Sequence, residues 1–358
     1  MISNIQNKYL LLWERMGDYH RARVREVARI AGAENVWAGD LGGADETYGW
    51  DSGNAYGSYF RLSPKPVDEV GATEAFRAFI KLVRKEQISH VCIPGYGRLA
   101  YMLMIGWSRI TGRKVLIFAE SWYPGNPVFD RLKGLFLKTF THTVFVSGER
   151  ARRHFAERLH YPPKKIRSGY SVVDNDHFAK GKGTKADPPK LLCVARFSEE
   201  KNLALLIKAF KRSKLSKTWS LSLVGGGPLK DELIKLSGDA PVEIIEWSKY
   251  ADLPDIYAQA GCFVLPSRFE PWGLVTNEAM AAGLPIILSD QVGGLPELLE
   301  EGANGWQFKS DSEDDLVRVL NELDESGKEL LEQFGRRSSE KIEKFSCSAW
   351  AGQIHSKW

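Results

Sequence analysis

PSRFEPWGLVTNEAMAAGLP, residues 266–285, follows the apolar run GCFVL at residues 261–265, which is typical of a buried parallel strand. The stretch closes with Gly283 and Pro285, and both residue types commonly end helices. The pattern therefore predicts a strand, a loop and a short helix. This succession is the repeating unit of an α/β fold with parallel sheets.

The start of the predicted helix has the features of an anion site. Pro271 and Gly273 bracket the entry, so the free amides near Leu274 and Val275 should point out of the helix N-terminus. Hydrogen bonds and the helix dipole both favour an anion at such a position. We expect a phosphate group there.

Two carboxylates flank this expected anion site. Glu270 lies in the loop, and Glu278 lies eight positions later inside the helix. Carboxylates accept hydrogen bonds from sugar hydroxyls, although both could instead be solvated charges on an ordinary α/β unit. The helix is slim, as expected where it packs beside a strand and a ligand. Its small residues are Ala279, Ala281, Ala282 and Gly283.

The stretch resembles the E-x7-E signature of retaining glycosyltransferases of the GT-B fold, and it is most similar to family 4. Residues 293–297 (GGLPE) and 301–306 (EGANGW) match the same family's pattern. The resemblance implies an α/β protein in which two Rossmann-like domains face each other across a cleft. It also implies that Glu270 binds hydroxyls of the transferred sugar and that Glu278 binds those of the donor's ribose.

The length of 358 residues suits two domains better than one core. Residues 179–189 are polar, rich in glycine and lysine, and end in two prolines, which is typical of a linker. We predict an N-terminal acceptor-binding domain over residues 1–179 and a C-terminal nucleotide-sugar-binding domain over residues 189–340. By resemblance, residues 341–358 form a terminal helix that crosses back to the N-terminal domain.

Composition narrows the class of protein. A net charge of +4 gives no reason to expect a nucleic-acid partner. The cysteines form no CxxC pair that would suggest zinc, and most lie in apolar runs where a reduced, buried thiol is usual. No apolar run reaches the ~20 residues of a membrane-spanning helix, and the N-terminus lacks a signal pattern. We therefore expect a cytoplasmic protein.

The first strand-to-helix turn supplies candidate ligand residues. The run YLLLW at residues 9–13 predicts a strand, and a helical pattern begins at Arg21. In a doubly wound sheet this turn lies at the carboxyl edge, where ligands bind. We expect Gly17 at the donor, and Asp18 and His20 at the acceptor, with capping or packing as the alternative for His20. Family 4 enzymes often carry a Gly-Gly pair here, whereas this chain offers Gly17 alone.

Residues 40–66 are rich in Gly, Asp, Tyr, Ser and Pro, and they predict an irregular insertion rather than a regular element. Its aromatic side chains could stack on sugar rings or simply hold the loop in place. Both interpretations stay open.

A second loop at the same edge follows the apolar run VLIFA at residues 115–119, which predicts a buried strand. It carries Glu120 and Trp122. Family 4 members often place a His near this strand end, and a Glu here resembles a subset with Gly-Glu-Ser. By that resemblance, Glu120 accepts a hydrogen bond from the acceptor hydroxyl or the donor sugar, with a structural cap as the alternative. Trp122 is a candidate acceptor contact.

Residues 131–167 carry ten Lys or Arg residues against two acidic ones, Glu149 and Glu157, with apolar residues interleaved. Such a basic amphipathic segment could rest on an anionic membrane surface and bring the enzyme to a lipid-linked acceptor. It could equally be a solvated helix whose apolar side belongs to the core.

Asp174-Asn175-Asp176 mimics an Asp-x-Asp motif, a pattern that can bind a metal ion. Residues 171–178 (SVVDNDHF) resemble the Gly-Val-Asp-x-x-x-Phe segment that closes the first domain in family 4. We therefore predict no metal site.

The second half of the chain contains another anion element. Residues 191–195 (LLCVA) predict a strand, and residues 203–212 predict the helix that follows. Arg196 and Lys201 flank the start of that helix, so two cations and a helix N-terminus converge. Either cation alone would more often be a surface charge, but the pair matches the Arg and Lys of the family's diphosphate clamp.

Further donor contacts follow the next two predicted strands, at residues 221–224 (LSLV) and 243–247 (EIIEW). Residues 225–227 are three glycines that match the family's glycine loop, in which Gly226 lets the backbone approach the ligand. Trp247 and Ser248 correspond to the place where the family holds the nucleobase, largely through backbone groups. Pro271 completes the donor site predicted around the helix start.

The resemblance implies transfer of a sugar from a nucleotide diphosphate sugar to a glycan or lipid-linked acceptor, with no cofactor and no metal. Arg196, Lys201, Glu270 and Glu120 are the expected catalytic residues. The alternatives are a non-catalytic nucleotide-sugar-binding scaffold, and an epimerase or phosphorylase of the same fold. A phosphorylase would need a lysine bearing pyridoxal phosphate and a much longer chain, and epimerases usually lack the Glu270 and Glu278 signature.

Overall fold

The computed structural model describes residues 7–43, 56–181, 185–187 and 189–356. The chain divides into two compact units. Met1–Val172 and Cys347–Trp358 form the first unit, and Val173–Ser346 form the second. Each unit is built on one parallel sheet, as expected for the α/β class.

The sheet of the first unit has seven strands within the described residues. They are β1 (Tyr9–Trp13), β2 (Val36–Asp40), β3 (Ser58–Arg61), β4 (His90–Ile93), β5 (Lys114–Ala119), β6 (Thr143–Val146) and β7 (Ile166–Ser168). Their order across the sheet is β3-β2-β1-β4-β5-β6-β7. The central strands are nearly all apolar and buried, because helices cover a parallel sheet on its faces.

The helices of the first unit are α1 (Asp18–Ala31), α2 (Ala72–Lys85), α3 (Leu99–Ile110), α4 (Pro127–Phe140) and α5 (Glu149–Arg153), which continues as a π-helix over His154–Arg158. Asn126 caps α4, since its side chain accepts a hydrogen bond from Val128 N at 3.0 Å, and Pro127 occupies the first turn. None of the described helices is both long and apolar enough to cross a membrane.

The sheet of the second unit has six described strands. They are β8 (Lys190–Val194), β9 (Ser220–Val224), β10 (Val242–Ile245), β11 (Cys262–Leu265), β12 (Ile286–Ser289) and β13 (Gly305–Phe308). Their order is β10-β9-β8-β11-β12-β13, and every pairing is parallel. The strand order therefore reverses between β8 and β11.

The helices of the second unit are α6 (Asn175–Phe178), α7 (Leu203–Arg212), α8 (Lys230–Ser237), α9 (Leu253–Gln259), α10 (Leu274–Ala281), α11 (Leu295–Leu298), α12 (Glu313–Glu325) and α13 (Gly327–Ile342). A core of apolar side chains from β8, β9, β11, α7 and α12 fills one side of the sheet. This core fixes the strands whose carboxyl ends carry the predicted site.

The last helix, α14 (Cys347–His355), belongs to the first unit and packs against α1. Trp350 of α14 is buried among the rings of Trp13, Phe118 and Tyr170. Arg23 of α1 is also buried, with its guanidinium 5.9 Å from the Trp350 ring and donating to Val172 O at 2.8 Å. The buried aromatic cluster and the cation thus attach the end of the chain to the first unit.

Most of the predicted elements are confirmed. The strand 9–13 is found as predicted, and so is the helix 203–212. All four cysteines are free and buried, as was predicted for the three that lie in apolar runs. The short helix after the signature loop is α10.

The structure corrects the interpretation of residues 40–66. Ser58–Arg61 form β3, which pairs with β2 at the edge of the sheet, so this part is regular. The strand has only four residues, and the glycines and prolines around it led to the prediction of an irregular loop. Residues 44–55, with two of the five aromatic side chains considered for sugar stacking, lie outside the described residues, and so does Trp358.

The division between the units falls at Val172 and Val173, earlier than the segment 179–189 in which the linker was placed. The reason is that α6 packs against α9 and α10, and so belongs to the second unit. Val173 and Ser346, the first and last residues of that unit, form an isolated parallel bridge.

Two histidines of the first unit should make its stability depend on pH. Burial and the nearby charge of Lys114 lower the pKa of both His90 and His142 to about 4. The unfolded chain takes up these protons near pH 6.5, whereas the folded unit stays neutral until about pH 4. Stability should therefore fall as the pH is lowered from 7 to 5, where carboxylates remain ionised.

Thermal unfolding of the wild type should show a midpoint a few degrees lower at pH 5 than at pH 7. The double variant His90→Asn/His142→Asn should lose part of this dependence, because the pKa values of His20 and His154 are also lowered and these residues remain. His160→Asn serves as the control, because His160 is exposed. An unchanged pH slope in the double variant would contradict the assignment.

Candidate functional site

The second sheet has a topological switch point between β8 and β11. In such sheets the loops leaving the carboxyl ends of the two central strands diverge, and ligands bind in the crevice between them. Arg196 and Lys201 follow β8, while Glu270 and Gly273 follow β11. The fold therefore brings both predicted anion elements to one switch point.

Arg196 is held by a carboxylate four residues along the chain. Its Nη2 donates to Glu200 Oε1 at 2.8 Å, and Ser198 Oγ donates to the same oxygen at 2.7 Å. Burial opposes ionisation of Glu200, but these hydrogen bonds outweigh it and lower its pKa to about 2. Glu200 is therefore charged at neutral pH, and it positions the guanidinium at the end of β8.

Lys201 forms an ion pair with the first carboxylate of the signature. Its Nζ lies 2.5 Å from Glu270 Oε2, and the two side chains are only 18% and 11% exposed. The pair joins the loop after β8 to the loop after β11. Because loss of one member of a buried pair leaves an uncompensated charge, each residue depends on the other.

Gly273 is the residue that allows the loop to enter α10. Its φ of 96° lies in the left-handed region that favours glycine. A Cβ at this position would lie 2.9 Å from Leu265 Cδ2. The amides of Leu274 and Val275, in the first turn of α10, have no intrahelical acceptor by helix geometry. Both residues are half-buried, and their binding of an anion stays a prediction.

The signature loop is rigid because it is bonded to the next loop of the sheet. Trp272 is buried, and its Nε1 donates to Asn277 Oδ1 at 2.9 Å. Gly293 N donates to Glu270 O at 2.9 Å, and Gly294 N donates to Trp272 O at 3.0 Å. Half-buried Pro271 lies between these two anchored residues. The two motifs found in sequence thus form one hydrogen-bonded unit.

Glu278, predicted to bind ribose hydroxyls, is fully buried in α10. Its Oε2 accepts a hydrogen bond of 2.7 Å from the hydroxyl of Tyr257 in α9. A ribose hydroxyl could therefore reach this carboxylate only by displacing one of its present neighbours. The role assigned to Glu278 stays a prediction.

The glycine loop after β9 lies against the backbone beside Arg196. Phe197 N donates to Gly226 O at 2.8 Å, which ties this loop to the end of β8. A Cβ on Gly225 would lie 1.9 Å from Ala195 O, so the loop can approach this closely only because it lacks a side chain.

Trp247 covers the same glycine loop. A Cβ on Gly226 would lie 2.8 Å from the Trp247 Nε1, so the indole rests directly on the glycine. Trp247 is 57% exposed, which leaves part of the indole facing solvent beside half-buried Ser248. This arrangement suits the stacking of a flat ring such as a nucleobase.

The predicted residues of the first unit lie at the carboxyl edge of its own sheet, after β1. Gly17 precedes α1, and its N donates to His20 Nδ1 at 2.9 Å. Burial, with a contribution from Arg23, lowers the pKa of His20 well below its usual value. His20 is therefore a neutral ring that accepts a backbone hydrogen bond. This contact corresponds to the capping role that was the alternative to acceptor binding. Asp18 pairs with Arg21 at 3.5 Å.

Glu120 and Trp122 follow β5 at the same edge. Glu120 Oε1 accepts a hydrogen bond of 2.7 Å from Ser171 Oγ, which fixes the carboxylate within the first unit. The Trp122 ring stacks on Tyr123 with centroids 4.1 Å apart. The expected contacts of both residues with substrate stay predictions.

Sequence reasoning missed the residues that support the site. Glu200 could have been found, because a carboxylate four residues after Arg196 is a common pairing distance across a helical turn. Nothing in the sequence indicated that Tyr257 binds Glu278 or that Trp272 binds Asn277, since these contacts depend on packing. Among the described residues, no group of three or more His, Cys, Asp or Glu side chains could hold a metal ion.

The two α/β units define the class: the protein has the GT-B fold. HepE from Anabaena, solved with UDP, has a TM-score of 0.74 at 16% identity, covering 97% of this chain and 98% of that one. A glycosyltransferase from Rickettsia africae has a TM-score of 0.77 at 14% identity, covering 98% and 97%. Similarities at this level of identity show the fold alone.

A family match comes from the sequence of the second unit. Residues 174–341 match the model of the family described as glycosyl transferases group 1. The sulfoquinovosyl transferase SQD2 of Arabidopsis thaliana is 30% identical over 174 residues, which cover 48% of this chain and 33% of the relative. The chain thus spans about a third of the length of this curated relative.

Gly273→Ala should disturb both stability and ligand binding. The substitution places a side chain in the left-handed region and against Leu265, which should cost about 1–3 kcal/mol of unfolding free energy. It should also displace the first turn of α10 and weaken binding of nucleoside diphosphates, measured by calorimetric titration.

Gly327→Ala is the matched control, because Gly327 has a φ of 66° but nothing within 4 Å of the position of a Cβ. It should lose stability through the backbone alone and keep nucleotide affinity. Equal nucleotide affinity in both variants would argue against an anion site at α10.

Proposed function

We propose that the protein is a retaining glycosyltransferase that moves a sugar from a UDP- or GDP-sugar to a glycan, lipid-linked saccharide or glycolipid. The observation that carries the proposal is the Lys201–Glu270 ion pair, which lies with Arg196 and the start of α10 at one switch point. Two cations and a helix N-terminus suit a diphosphate, and a carboxylate suits sugar hydroxyls. The family match and the UDP complex of HepE support a nucleotide-sugar donor.

The proposed chemistry stabilises the leaving group. Breaking the bond between the anomeric carbon and the diphosphate places negative charge on phosphate oxygens and positive character on the sugar. Arg196, Lys201 and the first amides of α10 would stabilise the departing phosphate without a metal. The acceptor hydroxyl would attack from the same face, and the departing phosphate would help to deprotonate it. No nucleophile from the protein is required.

A non-catalytic scaffold that binds a nucleotide sugar is the second candidate. The sequence Ala119-Glu120 at the end of β5, where the family often places a His, favours it. The positioned Arg196 and the Lys201–Glu270 pair favour catalysis. An epimerase of the same fold is the third candidate, and release of free nucleotide in the presence of an acceptor would separate it from a transferase.

Arg196→Ala should weaken binding of the preferred nucleotide by about tenfold to a hundredfold, because a hydrogen bond to a charged group contributes ~1.5–3 kcal/mol. UDP, GDP and ADP are titrated calorimetrically to find the preferred base.

If the base stacks on the indole of Trp247, nucleotide binding should quench the tryptophan fluorescence of the wild type. This quenching should be lost in Trp247→Leu.

Arg212→Ala is the matched control, since Arg212 is an exposed arginine of the same unit that pairs with Glu313 and Asp314. Its nucleotide affinity should equal that of the wild type. If none of the nucleotides binds the wild type, or if Arg196→Ala binds them equally well, the proposed donor site is wrong.

We also propose that the first unit associates peripherally with an anionic membrane surface at its inner, cytoplasmic face. The apolar surface of α4 is largely solvent-exposed, with four large side chains between 58% and 68% exposed: Val128, Phe129, Leu132 and Leu135. Exposed cations lie on the same helix: Arg131, Lys133 and Lys138. Its single acid, Asp130, is buried and pairs with Arg158. Apolar residues with cations and no exposed acid suit the surface of an anionic bilayer.

Leu132→Gln/Leu135→Gln should lower binding to phosphatidylglycerol vesicles by about tenfold or more, since burying each leucine contributes ~1.5–3 kcal/mol. Sedimentation with vesicles measures the bound fraction. Ile110→Gln is the control, because Ile110 is 77% exposed in the same unit but lies on α3. Unchanged binding in the double variant, or equal binding to phosphatidylcholine vesicles, would contradict a docking surface on α4.

A further inference from the structure

A small cavity lies at the carboxyl edge of the second sheet. Its volume is about 140 Å³, and its walls come from the loops after β8, β9 and β11 and from α7, α8 and the first residue of α12. The residues assigned to the donor site are not among the described residues that line it. The volume is well below the ~300–1,000 Å³ of sites for drug-sized ligands, so the cavity suits a single small ring.

Asn202 gives this cavity a buried amide without a partner. Its φ of 56° lies in the left-handed region, which Asn tolerates better than most side chains. The residue is only 4% exposed and lines the cavity. Its Nδ2 has no hydrogen-bond partner within the described part of the chain. Because a buried donor without an acceptor is costly, a ligand oxygen that accepts this hydrogen bond would be bound favourably.

The first turn of α7 supplies further donors to the same cavity. An Asn before a helix usually accepts a hydrogen bond from the first-turn amides, but Asn202 makes no such bond. The amides of residues 203–205 have no intrahelical acceptor by helix geometry. Ala204 and Leu205 are half-buried and line the cavity. Backbone and side chain thus both favour a ligand that carries oxygen atoms.

Charged side chains of both signs complete the lining: Glu199, Glu232, Glu313, Lys208 and Arg268. Glu313 pairs with Arg212 at 2.6 Å, and Arg268 pairs with Asp311. Glu199 and Glu232 are exposed and form no ion pair among the residues that the structure describes, so their oxygens can accept hydrogen bonds from a ligand. The carboxylates outnumber the cations, which disfavours an anion despite the helix N-terminus.

Backbone hydrogen bonds hold the walls of the cavity in place. Leu229 N donates to Phe197 O at 3.1 Å, which ties the loop after β9 to the loop after β8. Arg268 N donates to Glu200 O at 2.8 Å, which ties the loop after β11 to the same segment. Leu229 is half-buried in the lining, and it adds apolar surface to that of Leu205. The cavity is therefore a fixed mixture of donors, acceptors and apolar atoms.

From this arrangement we propose that the cavity binds one hexose ring of a neutral saccharide, outside the donor site. Sugar hydroxyls both donate and accept hydrogen bonds. They accept from Asn202 and the first turn of α7, and they donate to Glu199 and Glu232. Leu205 and Leu229 contact the C–H groups of the ring. The site does not depend on the proposed transferase activity, and with a glycan acceptor it would retain a sugar away from the donor residues.

The test is a titration of methyl α-glucoside, methyl α-galactoside and methyl α-mannoside into the full chain, followed by ¹⁵N NMR. At least one glycoside should bind and shift the side-chain amide signal of Asn202. Asn202→Gly keeps the left-handed backbone, which glycine adopts readily, and removes only the amide. It should weaken binding about twofold to tenfold, the effect of one neutral hydrogen bond.

Glu232→Gln should weaken binding about tenfold or more, because a hydrogen bond to a charged acceptor is lost. Two controls should keep the affinity of the wild type. Gln87→Gly makes the same backbone change at an exposed residue of the first unit with a φ of 56°. Glu329→Gln removes an exposed carboxylate from α13 of the second unit.

The proposal is overturned if none of the glycosides binds the wild type, or if Asn202→Gly binds them equally well. Inorganic phosphate is titrated in parallel, and its binding through Asn202 in place of the glycosides would make this an anion site. UDP should bind Asn202→Gly and the wild type equally, and weaker binding of UDP alone would assign Asn202 to the donor site. A chain that binds a glycoside through Asn202 but no nucleotide would keep this site while the proposed donor site fails.

Discussion

The ion pair between Lys201 and Glu270 is the interaction on which the candidate donor site depends. It joins the two loops that diverge at the switch point of the second sheet, and its side chains are mostly shielded from water. Its members are 69 residues apart in sequence, so the pair forms only when β8 and β11 lie side by side. The core of the sheet thereby determines the spacing of the charged groups.

The two units share a strand order at their centres but differ in the chemistry of their carboxyl edges. In the second unit, glycines allow close packing against Trp247 and Glu270, at Gly226 and Gly273 respectively. In the first unit, the edge after β5 and β6 presents aromatic rings and arginines, represented by Trp122 and Arg150. The same framework therefore carries different side chains at the two edges.

Long apolar runs, and glycines that mark the ends of strands and helices, allowed the fold class and most strands to be predicted from the sequence. The edge strand β3 could not be, because its pairing with β2 depends on neighbours distant in sequence rather than on its own pattern. Arg196, Lys201 and Glu270 were identified by motif and are brought together by the fold. The burial of Glu278 behind Tyr257 was not predictable, because tertiary packing decides whether a helical carboxylate faces solvent.

The packing of α14 on α1 makes the first unit discontinuous along the chain, whereas the second unit is one uninterrupted segment. During synthesis on the ribosome, the second unit is fully translated before Trp350 emerges to complete the aromatic cluster of the first. Trp13 and Tyr170 of the first unit must therefore remain partly uncovered while the rest of the polypeptide is made. A nonsense codon near the end of the gene would consequently damage the part of the protein that was translated earliest.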